Sequence, residues 1–353
     1  KMAKIQNFFL FSWLLCVACL LSFTSQANNL KRVLIIQSYG KNNPSSKPQE
    51  EGIREVLQRS GLNLQIKTFY MDTKKRYITP KAIAQRGKLA RAKILKWRPD
   101  VVIVIDDNAC KEVMLKMIDT PYKFVFSGMN MPPEVYNKQV RFMESRQHPG
   151  HNVTGVFEKL YITASVKIAQ EILPHLKKAF LFVSTSPTGK ALKQAALYEL
   201  RNNPVPLEIK QVATLKEYAA LLAQLNKTYS PQEAIIIPIL DRLKAEKKVF
   251  NLLEVVDFTL SHNRLPEIGG TLSMVERGCF GTAALNFKQM GKQAGEKAVL
   301  VLKGTPPGNI PIEDARGYKI VINLKRAKEL GIKIPFTFLI SADIILGGEE
   351  LSK

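Results

Sequence analysis

The chain has 353 residues, of which 46% are hydrophobic and 23% charged, enough apolar material for the cores of two ordinary domains and unlike a disordered or fibrous chain. The formal net charge is +22, which disfavours basic partners and favours anionic ones. The basic residues are scattered over expected helix faces and loops without an interleaved aromatic stripe, so no nucleic-acid partner is expected.

Lys1 and Lys4 precede an almost wholly apolar run over positions 8–23, followed by the small residues Ser25 and Ala27. This pattern predicts a secretory signal peptide over residues 1–27, cut after Ala27, and hence an exported or periplasmic protein. A retained membrane anchor and lipid attachment at Cys19 are the alternatives. Cys110 and Cys279 would remain after cleavage; they are expected to be buried free thiols, because they lie far apart in sequence and each sits next to a different strand end.

From position 31 onward, short apolar runs alternate with amphipathic stretches. Strands are expected in "RVLIIQSYG", "LQIKTFYMDT", "DVVIVIDDNA", "YKFVFSGMN" and "NVTGVFE". Between them, "EGIREVLQRSG", "KAIAQRGKLARAKILKW" and "CKEVMLKMI" have helical spacing. The series then restarts, with helices in "TASVKIAQEILPHL", "KALKQAALYELRNN", "LKEYAALLAQLNKTY", "AEKKVFNLLEVVDFTLSHN" and "FKQMGKQAGEKAVLVLKG". Its strands are "KAFLFVS", "LEIKQV", "EAIIIPILD" and "LPEIGG". Repeated β–α units of this kind predict an α/β fold of two doubly wound parallel-sheet lobes. No Ser-, Gly- or Pro-rich linker separates the two series, so the strand near 152–158 is expected to cross directly from one lobe to the other as a hinge. The expected lobes are residues 28–155 with 286–310, and residues 156–285 with 311–353.

In open α/β sheets, ligands bind beyond the carboxyl ends of the strands. The groups expected there are Ser38 and Tyr39 after the first strand, Asp106, Asp107 and Asn108 after the third, and Ser127 and Asn130 around the end of the fourth. Glu158 follows at the crossing, and Ser186, Thr188, Asp241 and Thr271 belong to the second lobe. The two adjacent aspartates raise several readings. A phosphoryl-receiver site would need an acidic pair after the first strand, where this chain has Gln-Ser-Tyr. A pair of glycosidase carboxylates is left open. Period-two alternation turns one aspartate to the cleft and the other aside, and Asp107 or Asn108 is a candidate helix cap. "SPTGKA" is not a phosphate-binding loop, but it opens a helix whose N-terminal amides suit an anion, with plain capping by Ser186 or Thr188 as the alternative. The four histidines have no metal-ligand spacing, and there is no nucleophile elbow or dinucleotide fingerprint. Neither a cofactor, a metal nor a catalytic set is therefore expected.

Several segments in order, among them "YMDTKK", "PDVVIVIDDNA", "FVFSGMN", "HNVTGVFE", "EILPHLKKAFLFVSTSPTG", "LKGTPPGNIPIE" and "YKIVINLKRAKELGIKIPFTFLISADIIL", resemble the periplasmic substrate-binding proteins of ABC transporters related to tryptophan/tyrosine-type binding proteins. The resemblance implies a type I periplasmic-binding fold whose lobes, joined by three crossings, close over a small ligand by hinge bending. It also implies ligand contacts from Asp241, Ser186 and Thr188, a membrane permease as partner, and a monomeric binding protein rather than an enzyme. With Asp106, Asp107, Glu158 and Asp241 at the cleft, the expected ligand is an amino acid or similar zwitterion. The alternatives are a ligand-sensing module reporting to a separate signalling partner and an envelope hydrolase.

Overall fold

A computed structural model describes residues 30–240, 243–246 and 248–348. The expected signal peptide and Asp241 lie outside them. The first lobe is a six-stranded parallel sheet. Its strands are β1 (Lys31–Gln37), β2 (Leu64–Tyr70), β3 (Val101–Ile105), β4 (Phe124–Met129), β5 (Val153–Phe157) and a late arrival, β12 (Glu313–Asp314), in the order β12-β5-β4-β3-β1-β2. The strands read as continuous apolar runs because both faces are covered. Leu34, Ile36, Val102, Val104, Phe124 and Phe126 face one core, into which helix α2 (Pro80–Trp97) sends Ala90 and Ile94. Val33, Ile35, Val101, Ile103, Ile105 and Val125 face the other, against helices α1 (Ser46–Arg59) and α10 (Phe287–Leu302).

Helices α1 and α10 pack backbone against backbone. A Cβ at Gly291 would stand 2.1 Å from the Gln49 carbonyl oxygen, and one at Gly52 would stand 2.2 Å from that of Lys288. Gly291→Ala is therefore expected to force the helices apart and to destabilise the protein by about 1–3 kcal/mol, as overpacking does. Denaturant unfolding checks this; an unchanged midpoint would show that the approach is not held this tightly.

The segment after β3 is not one uniform helix. One α-turn (α3, Asp107–Ala109) runs into a π-turn over Cys110–Met114 and a 3-10 turn over Leu115–Met117. Inserted π-turns recur where a helix is adjusted to a functional site. A short helix α4 (Pro133–Asn137) follows β4.

The second lobe is built on β6 (Lys178–Ser184), β7 (Leu207–Val212) and β8 (Ala234–Ile239), all parallel, with helices α5 (Ile162–Ile172), α6 (Pro187–Asn202) and α7 (Leu215–Thr228). Further strands extend this parallel sheet: β11 (Gly281–Leu285) and β13 (Tyr318–Asn323) pair antiparallel, and β14 (Ile344–Leu346) pairs parallel to β13. The expected strand "LPEIGG" is reduced to single bridges, at Glu267 to Ile236 and at Ile268 to Gly281, which join the two halves of this sheet. The expected helix from Ala245 starts only at Leu252 (α8, Leu252–His262), where Asn251 and Glu254 form a reciprocal capping box. The preceding residues form an antiparallel hairpin, β9 (Leu243–Ala245) with β10 (Lys248–Phe250). Helices α9 (Leu272–Arg277), α11 (Leu324–Glu329) and α12 (Phe336–Ser341) complete the described fold.

The chain passes between the sheets three times, after Phe157, after Leu285 and after Asp314. Strand pairing keeps residues 156–157 and 313–314 on the first sheet. The crossings are laced together by side chains. Tyr161 and Tyr318 meet at a tilt of 57° with ring centroids 4.9 Å apart, Lys159 lies 3.6 Å from Asp314, and Arg146 bonds both Glu134 and Asp314 at 2.6 Å.

Candidate ligand-binding cleft

The carboxyl end of β3 is the most unusual point in the backbone. Asp106 has φ 67° and ψ 170°, a region that non-glycine residues rarely occupy. Its backbone N–H donates to the Ser127 carbonyl and its own carbonyl accepts from Cys110, so the sheet end and the helical turn both grip it. The side chain is 2% exposed, yet Oδ2 has no hydrogen-bond partner. A buried polar atom left unpaired costs about 1–3 kcal/mol. Burial is the main cause that pushes the carboxyl up to about 8; Asp107 adds to the rise, while Lys74 and Gln49 oppose it.

Glu158, just past β5, is also buried and its carboxyl is raised well above the usual range, first by burial and then by Asp106 and Asp107, with Lys74 again opposing. The Tyr39 hydroxyl is pushed up by burial and by the same three acids. The Lys74 ammonium sits 4.4 Å from the centre of the Tyr39 ring. Tyr39, Asp106 and Glu158 thus form one electrostatically linked cluster, with an aromatic face and a cation at its border.

Asp107 has a different task. Its carboxylate accepts from Tyr136 Oη at 2.6 Å, from Asn130 Nδ2 at 3.0 Å and from the Asn130 backbone at 3.3 Å. It locks the loop after β4 onto the end of β3. Neither Asp107 nor Asn108 caps the helix, since the cap position is Asp106 and its side chain makes no capping bond. Asn108 donates to Thr73 Oγ1 at 2.9 Å, and Thr73 donates to the Ser38 carbonyl at 2.6 Å. The Ser38 hydroxyl donates to the Ile105 carbonyl and accepts from the Ala109 N–H; the Ser127 hydroxyl donates to Gln49. Both serines are fully buried, and these bonds brace the wall from behind.

In the second lobe Ser186 caps α6, accepting from the Gly189 N–H at 3.1 Å and sharing a 2.7 Å bond with Ser184. A Cβ at Gly189 would come within 2.0 Å of the Ser184 carbonyl oxygen, so only glycine fits this turn. Thr188 is in the first turn of α6. Thr271 precedes α9 and bonds Ser273 at 2.9 Å. The structure thus brings Tyr39, Asp106, Asp107, Asn130 and Glu158 together, whereas Ser186 and Thr271 sit on separate loops of the other lobe. Lys74, Gln49 and Tyr136 are additions to the cluster. Only the proximity of "YMDTKK" to a strand end pointed toward Lys74.

Cys110 and Cys279 are both free and buried. Among the described residues no His, Cys, Asp and Glu group has the geometry to hold a metal ion, and no helix is long and apolar enough to cross a membrane.

Comparison with known proteins places this geometry in a family. A tyrosine-binding protein of Clostridioides difficile is 22% identical over 248 residues, which cover 69% of this chain and 66% of that protein, just under two thirds of its length. A Streptococcus pneumoniae ABC domain solved in complex with L-Trp aligns with a TM-score of 0.64 at 20% identity, over 90% of this chain and 100% of that one. A ligand-free, open substrate-binding protein with adhesive properties from Clostridium difficile aligns with a TM-score of 0.69 at 16% identity, over 90% of this chain and 99% of that one. These structures share the type I periplasmic-binding architecture. The family model for ABC transporter substrate binding proteins matches residues 35–345, and the chain belongs to that family.

Proposed function

We propose that this protein is the exported, solute-binding component of an ABC-type uptake system, and that its ligand is an amino acid held by its ammonium group. The observation that carries the reading is Asp106: a strained, buried carboxylate with an unpaired oxygen, next to a second buried acid, Glu158. An incoming ammonium supplies three donors and a positive charge to acceptors that the empty protein leaves short of both. Tyr39 offers a ring face to the same cation. The tyrosine-binding relative favours an aromatic amino acid. In this reading Asp107 and Asn130 hold the wall rigid, hinge bending brings up Ser186, Thr188 and Asp241 from the second lobe, and the closed form delivers ligand to a membrane permease without chemical turnover.

Thermal unfolding against a panel of amino acids, amines, nucleosides and sugars tests this. A true ligand at 100 times its dissociation constant adds about 2.7 kcal/mol of stability. The expected hits are amino acids, aromatic ones first, with the N-acetylated form of each hit inactive. A neutral sugar or nucleoside as the sole hit would sink the ammonium reading. Binding of the cation should also drive Asp106 to ionise, so calorimetry at pH 7 in buffers of different ionisation enthalpy is expected to register proton release.

A further inference from the structure

Helix α2 carries six basic residues, Lys81, Arg86, Lys88, Arg91, Lys93 and Lys96, and not one acid. On other helices some basic side chains pair with acids one turn away, as Arg54 does with Glu50 and Lys116 with Glu112. Among the described residues no ion pair engages any of the six. Two of them turn to aromatic rings instead: Arg86 stands 4.6 Å from the ring centres of both Phe69 and Tyr77, and Lys93 stands 5.4 Å from that of Phe69. Lys67 of the edge strand β2 adds a further cation 4.7 Å over Trp97.

The outer side of the helix also carries exposed leucines. At 3.6 residues per turn, Lys81, Lys88, Leu89, Leu95 and Lys96 project from one side. Leu89 and Leu95 are 46% and 57% exposed. A helix whose exposed lysines are flanked on either side by a bare leucine is suited to a flat anionic surface into which short apolar side chains can sink. The chain also enters the fold at this place. Arg32 donates to the Trp97 carbonyl at 3.1 Å and Lys31 lies 3.6 Å from Asp100, so residue 30 sits beside the C-terminal end of α2. The sequence just before it contains the apolar run at 8–23.

We infer that the outer face of α2 is a contact surface for anionic lipid headgroups. It holds the first lobe against a membrane through Lys81, Lys88 and Lys96, with Leu89 and Leu95 entering the headgroup layer. The cleft cluster is on the carboxyl ends of the strands and takes no part in it.

Co-sedimentation of the full chain with phosphatidylcholine vesicles, with and without phosphatidylglycerol, tests the inference. Binding through the apolar run is common to both vesicle types and cancels in the difference. Each basic side chain near an anionic surface strengthens partitioning about fivefold. The expected result is binding at least about tenfold tighter to the anionic vesicles, weakening with added salt. The triple variant Lys81→Glu, Lys88→Glu, Lys96→Glu is expected to lose that increment with its thermal midpoint unchanged. The pair Lys216→Glu and Lys227→Glu, on α7 of the other lobe, is expected to keep most of it. Equal binding to both vesicle types would overturn the inference and leave an acidic protein as the occupant. So would an equal loss in the α7 variant, which would trace the effect to net charge alone.

Discussion

Asp106→Asn is expected to stabilise the ligand-free protein at pH 8 and to remove most of its affinity for an amino acid. Both effects come from one atom. The folded protein holds the Asp106 carboxyl as the acid up to about 8, whereas the usual value is 3.8. Between those values the native state keeps a proton that the unfolded chain has released, so stability falls as pH rises from about 4 to about 8, by up to about 1.4 kcal/mol per pH unit for one such group. Glu158 acts in the same direction. Asparagine has no charge to desolvate and keeps the side chain's size. The expected gain at pH 8 is about 1–3 kcal/mol, the order of cost of an unsatisfied buried group. The pH profile of the thermal midpoint should flatten correspondingly between pH 5 and pH 8. Affinity should fall by about 2–5 kcal/mol, roughly thirtyfold or more, because the ammonium loses its partner charge. Asp107→Ala is the contrasting variant. It strips the partner from the buried Tyr136 hydroxyl, so it should destabilise the protein by about 1–3 kcal/mol. If Asp106→Asn lowers stability at pH 8 and leaves ligand affinity unchanged, the carboxylate is structural and the cleft lies elsewhere.

The contrast between the two aspartates shows what a sequence can and cannot carry. "VVIVIDD" marks a strand buried on both faces because its apolar residues do not alternate, and that the chain must leave the sheet at the acids follows directly. Which acid is satisfied depends on Asn130 and Tyr136, which approach from a neighbouring strand end and a helix 23 and 29 residues later. Local pattern has no access to that distance. The same limit explains the β11–β13 pair. "GTAAL" is made of small residues with weak strand preference, and it is extended because Val321 and Ile322 lie alongside it. The hairpin at 243–250 was hidden for the opposite reason: its lysines and apolar residues also fit a helical period, and only the Asn251 capping box fixes where the helix starts. Glu158 was legible, since a strand crossing between lobes has to end at the cleft. Lys74 was not, because its charge matters only once the loop after β2 is folded back over Tyr39.

Arg326→Leu is expected to destabilise the second lobe by about 3–5 kcal/mol, the cost of leaving a buried charge unpaired. Glu267 is fully buried at the bridge that joins the two halves of the second sheet. Arg326, on α11, grips it through Nε at 3.0 Å and Nη2 at 2.6 Å, and also donates to the Asn263 carbonyl at 3.2 Å. Asn263 Nδ2 supplies a further 2.7 Å bond to the carboxylate. Burial raises the Glu267 carboxyl even with the arginine present to oppose it. Without the guanidinium the rise must grow, and the variant should lose stability as pH increases, because its native state then holds a proton that the unfolded chain gives up. Its deficit relative to the parent protein is therefore expected to be larger at pH 8 than at pH 5. The double variant Arg326→Leu, Glu267→Leu should recover most of the loss, since a well-packed apolar pair can replace a buried ion pair at little cost. Urea unfolding of the three proteins at both pH values decides the matter. A double variant no better than the single one would mean that the hydrogen bonds to Asn263, and not the pairing of charges, hold α11 to the sheet.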